Sequence, residues 1–533
     1  MSRGRFALLF LLLLLLVSAP LWAAAPGVYA ITGGTLHTAS GPDVPNGVVL
    51  IRDGLIEAAG ANVAIPADAM VIEVHGAHVY PGLIDAQTSV GFPSPPVTAR
   101  RRGPRLQQPA AESLPETSPA FLATRNVKLT EADLDARRVT GVLTIITAPS
   151  FGIFNGQSAV LNLGSEPAES RIVKTPAALQ ISFNPRPSWT FPDSLMGVIA
   201  DIRQTMLDAQ QYSAAHAIYE KNPAGNRRPE TDESLAALAP VLSREVPVVF
   251  VADSELMIRR AQAIAREFNL RMIVSGARQG YRMADDLRTV PVLVSVKWPA
   301  PPARREDRED QPLRVIRDRQ LEPTTPAALA KSGAQFALVS GPGKAGDFIP
   351  GIRKAIDNGL SADEALRAVT IAPARIFGVD RQLGSLDRGK IANVVISDKP
   401  IFAKEAKVTR VFVDGREVRL PASEKHAGES PASPIDGAWS LTVRMPQGEV
   451  AISATLHAED GRLTGNFSSE KGSGDIRGGS FDGTNVEFTL SMRGQQETES
   501  GDWLFHGSLQ DSKLFGTVST NLGTFQFSGS KGR

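Results

Sequence analysis

Seven histidines, no cysteine and a scatter of carboxylates are the raw material that this 533-residue chain offers for chemistry. Without cysteine there are no disulfides, no thiolate zinc site and no Cys nucleophile. His37, His75 and His78 lie early, His426, His457 and His506 lie late, and only His216 falls between Pro81 and Gly378. Zinc needs three or four N, O or S donors, so this central stretch is left with carboxylates, which suit Mg or Ca better. A Ser-His-Asp arrangement could draw on His216 alone. That residue shares a helical stripe with Ile199, Ile202, Met206, Tyr212 and Tyr219, so it reads as a packed histidine. His75 and His78 are three apart in a strand-like segment and point to opposite faces. Asp253 precedes Ser254 at the start of a helical pattern and reads first as a helix N-cap. Lys297 ends an apolar run in SVKWPAP, where a desolvated amine could act as base or anion clamp and an exposed one would be a rim lysine. The segment SFGIFNGQSAV (150–160) reads as a loop, but it lacks the Lys-Ser/Thr of a phosphate loop.

The elements that must position these groups are legible in outline. Residues 1–25 (MSRGRFALLFLLLLLLVSAPLWAAA) have a basic start, an apolar stretch and a small-residue end, the layout of a cleavable export signal. The expected location is therefore periplasmic or secreted, with no transmembrane segment after cleavage. From Val28 to Tyr80 short alternating strands predominate, with Asn46-Gly47 and Asp53-Gly54 read as hairpin turns. Residues 92–120 read as a long loop. Val139–Thr147, Val246–Val251, Leu270–Val274, Val290–Val296 and Gln335–Ser340 suit strands buried on both faces, with helices at Ser194–Lys221, Ser254–Phe268 and Ala362–Val369. Ser361 and Glu364 form a capping box for the last. Such alternation implies an α/β fold with a parallel sheet, doubly wound or closed as a barrel. The mixed-sign RREDRED run (304–310) reads as solvated. A polar linker (421–434) leads to residues 435–533, where alternating apolar residues and turns at Asp460-Gly461, Asp482-Gly483 and Asp511-Ser512 predict an all-β barrel or sandwich. Trp439, Phe467, Phe481, Trp503 and Phe505 fall at core-facing positions of that pattern. Lys+Arg (57) nearly balances Asp+Glu (56), so no nucleic-acid partner is expected.

Two stretches carry a family likeness: VYPGLIDAQTSV (79–90), and SADEALRAVTIAPARIFGVDRQLGSLDRGKIANVVISDKPIFAKEAKVTRVFVDGREVRL (361–420). Over about residues 28–420 the chain resembles the metal-dependent amidohydrolase superfamily, in particular its imidazolonepropionase- and dipeptidase-like group. The resemblance implies a (β/α)8 barrel over 81–382 and a composite β-sandwich from 26–80 plus 383–420. It also implies hydrolysis of C–N bonds at a zinc or other divalent metal. The family's ligands are a His-x-His on strand 1, a Lys or Glu on strand 4, a His on each of strands 5 and 6, and an Asp on strand 8. Carried onto this chain, these positions fall at Gln87 and Ser89, then Val251, Ser275 and Gly341, with no placement for strand 4. None is a good ligand, and Asp85 alone matches a family carboxylate.

The leading expectation is thus a degenerate amidohydrolase without the catalytic metal and with no other cofactor. It would bind a small molecule at the barrel mouth, or pair with an active paralogue or another copy of itself. A second reading is an active hydrolase with a site rebuilt from Asp85, Asp253, Lys297 and Asp347. A third places function in the C-terminal β domain as a binding module.

Overall fold

The computed structural model describes residues 27–93, 117–165, 167–185, 191–302, 311–341, 345–421 and, with short breaks at hairpin tips, 433–531. The leader, most of the 92–120 loop, the RREDRED run and residues 422–432 of the linker lie outside the described residues, as do the Asp460-Gly461, Asp482-Gly483 and Asp511-Ser512 turns. The chain divides into two units, Met1–Pro421 and Ala422–Arg533.

The first unit opens with β1 (Val28–Leu36), β2 (Val44–Arg52), β3 (Leu55–Gly60), β4 (Met70–Glu73) and β5 (His78–Pro81). Asp53 and Gly54 both have positive φ and turn β2 into β3. Asn46-Gly47 is not a hairpin turn: it lies inside β2, where Gly47 pairs with Gly34 across a register shift. The left-handed backbone at Asn46 forms a bulge there instead. His75 is exposed, whereas His78 hydrogen-bonds His37 at 2.9 Å and His37 stacks on Tyr80. Burial, and then the neighbouring His37, hold His78 below the usual histidine range.

The barrel follows, as β6 (Leu83–Thr88), β7 (Val142–Thr147), β8 (Phe154–Gln157), β9 (Ala159–Asn162), β10 (Ile172–Lys174), β11 (Leu179–Ser182), β12 (Val248–Ala252), β13 (Met272–Gly276), β14 (Val292–Ser295) and β15 (Phe336–Val339). Strands β11 to β15 are parallel neighbours, as are β6 and β7. Residues 154–162 bend at Ser158, so that β9 pairs antiparallel with β7 and β8 antiparallel with β11. This corrects the expectation of a loop at 150–160: the segment is the third stave of an eight-stave barrel and runs against the other seven. Closure comes from the Thr88–Gly341 bridge and the Gly341 N–H donating to the Gln87 carbonyl at 3.1 Å. Ile84, Ile146, Val249, Ile273, Leu293 and Ala337 form one apolar layer inside. Alternate residues such as Phe250 and Val274 face outward and pack with Ile258, Ala261 and Ile264 of helix Glu255–Glu267.

The chain then returns through β16 (Val394–Ser397), β17 (Val408–Val413) and β18 (Arg416–Val418). β16 pairs antiparallel with β5, which joins the two flanks into one eight-stranded composite sheet. The sheet curls over its own core. Tyr29 of β1 and Phe412 of β17 meet edge to face at 5.3 Å although their strands are not neighbours.

The second unit comprises β19 (Gly437–Met445), β20 (Gly448–Glu459), β21 (Arg462–Ser469), β22 (Gly472–Asp475), β23 (Arg477–Phe481), β24 (Asn485–Met492), β25 (Gly501–Gln510), β26 (Lys513–Thr520) and β27 (Gly523–Lys531). The β19–β27 and β20–β21 pairings close it into an antiparallel barrel. Trp439, Phe467, Phe481, Trp503 and Phe505 are all buried in its core.

Candidate active site

The mouth of the first barrel is where parallel strands end and their following loops begin, the place where (β/α)8 folds collect functional groups. Above the apolar layer the interior positions turn polar: Gln87 on β6, Gln180 and Ser182 on β11, Ser275 on β13 and Ser295 on β14. They line a cavity of about 280 Å³ together with Ser89, Asn155, Val251, Asp253, Arg278, Lys297 and Gly341. Gln87, Ser89, Val251, Ser275 and Gly341, far apart in sequence, therefore share one wall. A bulge between Asp85 and Thr88 turns Gln87 inward.

The polar groups satisfy one another. The Ser275 hydroxyl donates to Gln87 Oε1, Gln87 Nε2 to Gln180 Oε1 at 3.3 Å, and Gln180 Nε2 to Ser158 Oγ at 3.2 Å. Ser158 in turn donates to the Ala178 carbonyl at 3.1 Å. This belt crosses the mouth from the sixth stave through the first to the fourth. Gln180 and Ser182 occupy the stave that the sequence alone does not place. Their trace in the sequence is two polar residues spaced by two at the end of an otherwise apolar strand.

Among the described residues, the charges on the cavity wall are Asp253, Arg278 and Lys297. Asp253 does not cap the helix that follows; Ser254 does so, accepting from the Met257 N–H. Asp253 accepts from Arg278 Nη2 at 2.9 Å instead. Arg278 follows Gly276 and Ala277, both in left-handed backbone, and this tight turn brings its guanidinium back over the mouth. Nothing in the sequence marks it. Lys297 is exposed on the rim.

The four groups of the rebuilt-site reading do not converge. Asp85 faces away from the lumen and is buried, accepting from the Ser340 N–H at 3.0 Å and from its hydroxyl at 2.5 Å. Burial pushes its carboxyl above the usual range, and the hydrogen bonds from Ser340 and the nearby Arg137 offset this in part. Asp347 precedes helix Phe348–Asp357 and does not line the cavity. Among the described residues, Asp253 is thus the one carboxylate on that wall, and no cluster of three His, Asp or Glu able to hold a metal occurs. His216 packs on Tyr212 in helix Leu195–Lys221, away from this site, with its Nε2 against the Glu230 carbonyl at 3.3 Å.

Known proteins agree with this architecture. Residues 318–418 match the model of the amidohydrolase family. Imidazolonepropionase of Symbiobacterium thermophilum is 24% identical over 427 residues, 70% of this chain and 92% of the relative. Adenine deaminase of Clostridium botulinum is 37% identical over 67 residues, 13% of this chain and 11% of its own length. Among solved structures, an amidohydrolase from Thermotoga maritima superimposes with a TM-score of 0.62 at 23% identity, covering 74% of this chain and all of that one. The chain therefore has the amidohydrolase fold, and it resembles the amidohydrolase superfamily in sequence.

Proposed function

We propose that this chain is an exported amidohydrolase-like protein whose barrel mouth binds a small anionic, hydrogen-bonding ligand without a catalytic metal. The observation that carries the reading is the amide–hydroxyl belt. Gln87 and Ser275, at two positions where the resemblance implies metal ligands, hydrogen-bond each other, and Gln87 donates onward to Gln180 on the fourth stave. Neutral amide and hydroxyl oxygens are weak donors to zinc, Val251 and Gly341 supply no side-chain donor, and Arg278 engages Asp253. This donor set does not fit a divalent hydrolytic metal, and what its groups can do is bind and orient a ligand.

Arg278 brings a guanidinium to the mouth with N–H donors beyond the one that Asp253 engages, and such a fork suits a ligand carrying a carboxylate or similar anion. Ile146, Val251 and Val339 offer it apolar contact, and Gln180, Ser182 and Ser295 offer donors and acceptors for its orientation. Dispersal of the carboxylates speaks against the rebuilt hydrolase.

Thermal-shift titration of the purified protein with a panel of small carboxylates and their neutral amides tests the reading. Carboxylates should raise the melting temperature, the matched amides should not, and Arg278→Ala should abolish the shift. Elemental analysis returning near-stoichiometric zinc, manganese or iron would overturn the metal-free part. For export, the N-terminus of protein recovered outside the cytoplasm should begin just after Ala23 or Ala24.

A further inference from the structure

We infer that the outer face of helix Leu195–Lys221 is the contact surface of a twofold-symmetric dimer of this chain. The helix runs 27 residues. Val198, Ile202, Met206 and Ala209 bury its inner face. On the opposite face Met196, Leu207 and Ile218 are 82%, 50% and 61% exposed, and Ala200 and Ala214 are exposed between them. At about 100° per residue these five fall within about 40° of one another, so they form a narrow stripe roughly 33 Å long. Scattered apolar surface residues need no explanation, but five aligned along one helix face do, even with Arg203 and Gln204, and Gln210 and Gln211, flanking the line on the turns between them.

Its arrangement specifies the occupant. The stripe is palindromic about Leu207: Ala200 and Ala214 lie seven residues either side, Met196 and Ile218 eleven. An antiparallel second copy with its axis at Leu207 therefore sets Leu207 against Leu207, each Ala200 against Ala214, and each Met196 against Ile218. The alanines allow close approach on both sides of the central leucine. The ends are complementary in charge. Exposed Asp193 and Lys221 lie fourteen residues either side of Leu207, so each acid meets the other copy's lysine. Antiparallel packing also opposes the two helix dipoles favourably. Such an isologous contact is what a twofold dimer requires. One helix pair is a small interface, so association is expected at concentrations on the order of 10 μM.

The test uses the full chain, which has no cysteine of its own. Sedimentation velocity across a concentration series should show a reversible dimer. Leu207→Arg should raise its dissociation constant about tenfold or more with an unchanged melting temperature, because the residue is at the surface. Under mild oxidation Leu207→Cys should form a disulfide-linked dimer, since that position faces itself across the axis. Met196→Cys or Ile218→Cys alone should not, whereas a mixture of those two variants should cross-link to each other. A monomer at all concentrations, a dimer insensitive to Leu207→Arg, or equal cross-linking of every single-cysteine variant would overturn the proposal. A loss of melting temperature in Leu207→Arg would also do so, because it would mean that the face is covered within the chain.

Discussion

The two barrels use their interiors in opposite ways. In the first, an apolar layer around Ile84, Val249, Ile273 and Leu293 fills the lower lumen, and the mouth above it is hydroxyl and amide around a cavity. In the second, aromatic side chains fill the lumen: Phe505 stacks on Phe488 at 4.8 Å and meets Phe527 edge to face at 5.0 Å. Parallel strands end together at one rim, where loops of any composition can gather, so that rim can stay polar and open. A small antiparallel barrel alternates in and out along every strand, and its inward residues must pack against each other. The ligand proposed above would sit in the open mouth of the first barrel, and the interior of the second is filled.

The contrast is broken most forcefully in the filled barrel. Phe505→Ala should cost about 3–5 kcal/mol, because it removes a fully buried ring and leaves a cavity between two others. Calorimetry should show the transition of the C-terminal unit falling steeply while the other is unchanged. Next in size is the barrel seam. Asp85→Ala should cost roughly 3 kcal/mol by leaving the Ser340 donors without their buried acceptor and the Arg137 guanidinium without the carboxylate near it.

Asp85 also predicts a pH effect. Its folded value is raised, so the folded state binds the proton more tightly, and stability falls as pH rises from the usual carboxylate range through the raised folded value. Urea midpoints for the parent should therefore drop, relative to Asp85→Asn, across that window. The opposite slope would mean that the carboxylate is stabilised as an anion.

Smaller still is the effect of breaking the mouth belt. Gln87→Ala should lower stability by about 1 kcal/mol, since the groups it strands lie beside a cavity that can admit water. The belt can instead be converted. Gln87→His with Ser89→His should bind zinc weakly, and adding Val251→His and Ser275→His should tighten it severalfold by isothermal titration. Gly341→Asp should add little. Gly341 has a φ of 60°, and a Cβ there would lie 3.3 Å from the Ser295 hydroxyl, so the strand-8 carboxylate is strained from the start.

What is readable in the sequence follows burial. VPVVFVA, RMIVSG and QFALVS are strands covered on both faces, so their apolar runs announce them, and only their ends shift by about two residues. The helix at Glu255–Glu267 begins at Ser254 and ends at Phe268 because its cap and its periodicity are both local. The third stave is not readable. FNGQSAVLN mixes amides and hydroxyls with apolar residues, and several of its polar groups are satisfied by partners distant in sequence, such as Pro119, Thr144 and Gln180. Arg278 escapes notice for a related reason: its position depends on left-handed backbone at Ala277, which nothing in the residue type foretells. Asp253 misleads as a cap because Ser254 is an equally good one and lies one residue closer to the helix.

The seam that closes the first barrel also bears on the order in which the chain can fold. Asp85 and Ser340 are 255 positions apart, and the Ile401 N–H reaches the Tyr80 hydroxyl across 321. Neither link exists until nearly all of the first unit has been made, so the strands β1 to β6 must wait with apolar faces uncovered. Long-range closure of this kind is slow. In the second unit most strands pair with their immediate successors, so it can collapse as soon as it emerges. A nascent molecule should therefore pass through a stage in which the last-made domain is native and the first-made one is still open. During that interval a chaperone would find its binding surface at the N-terminal end.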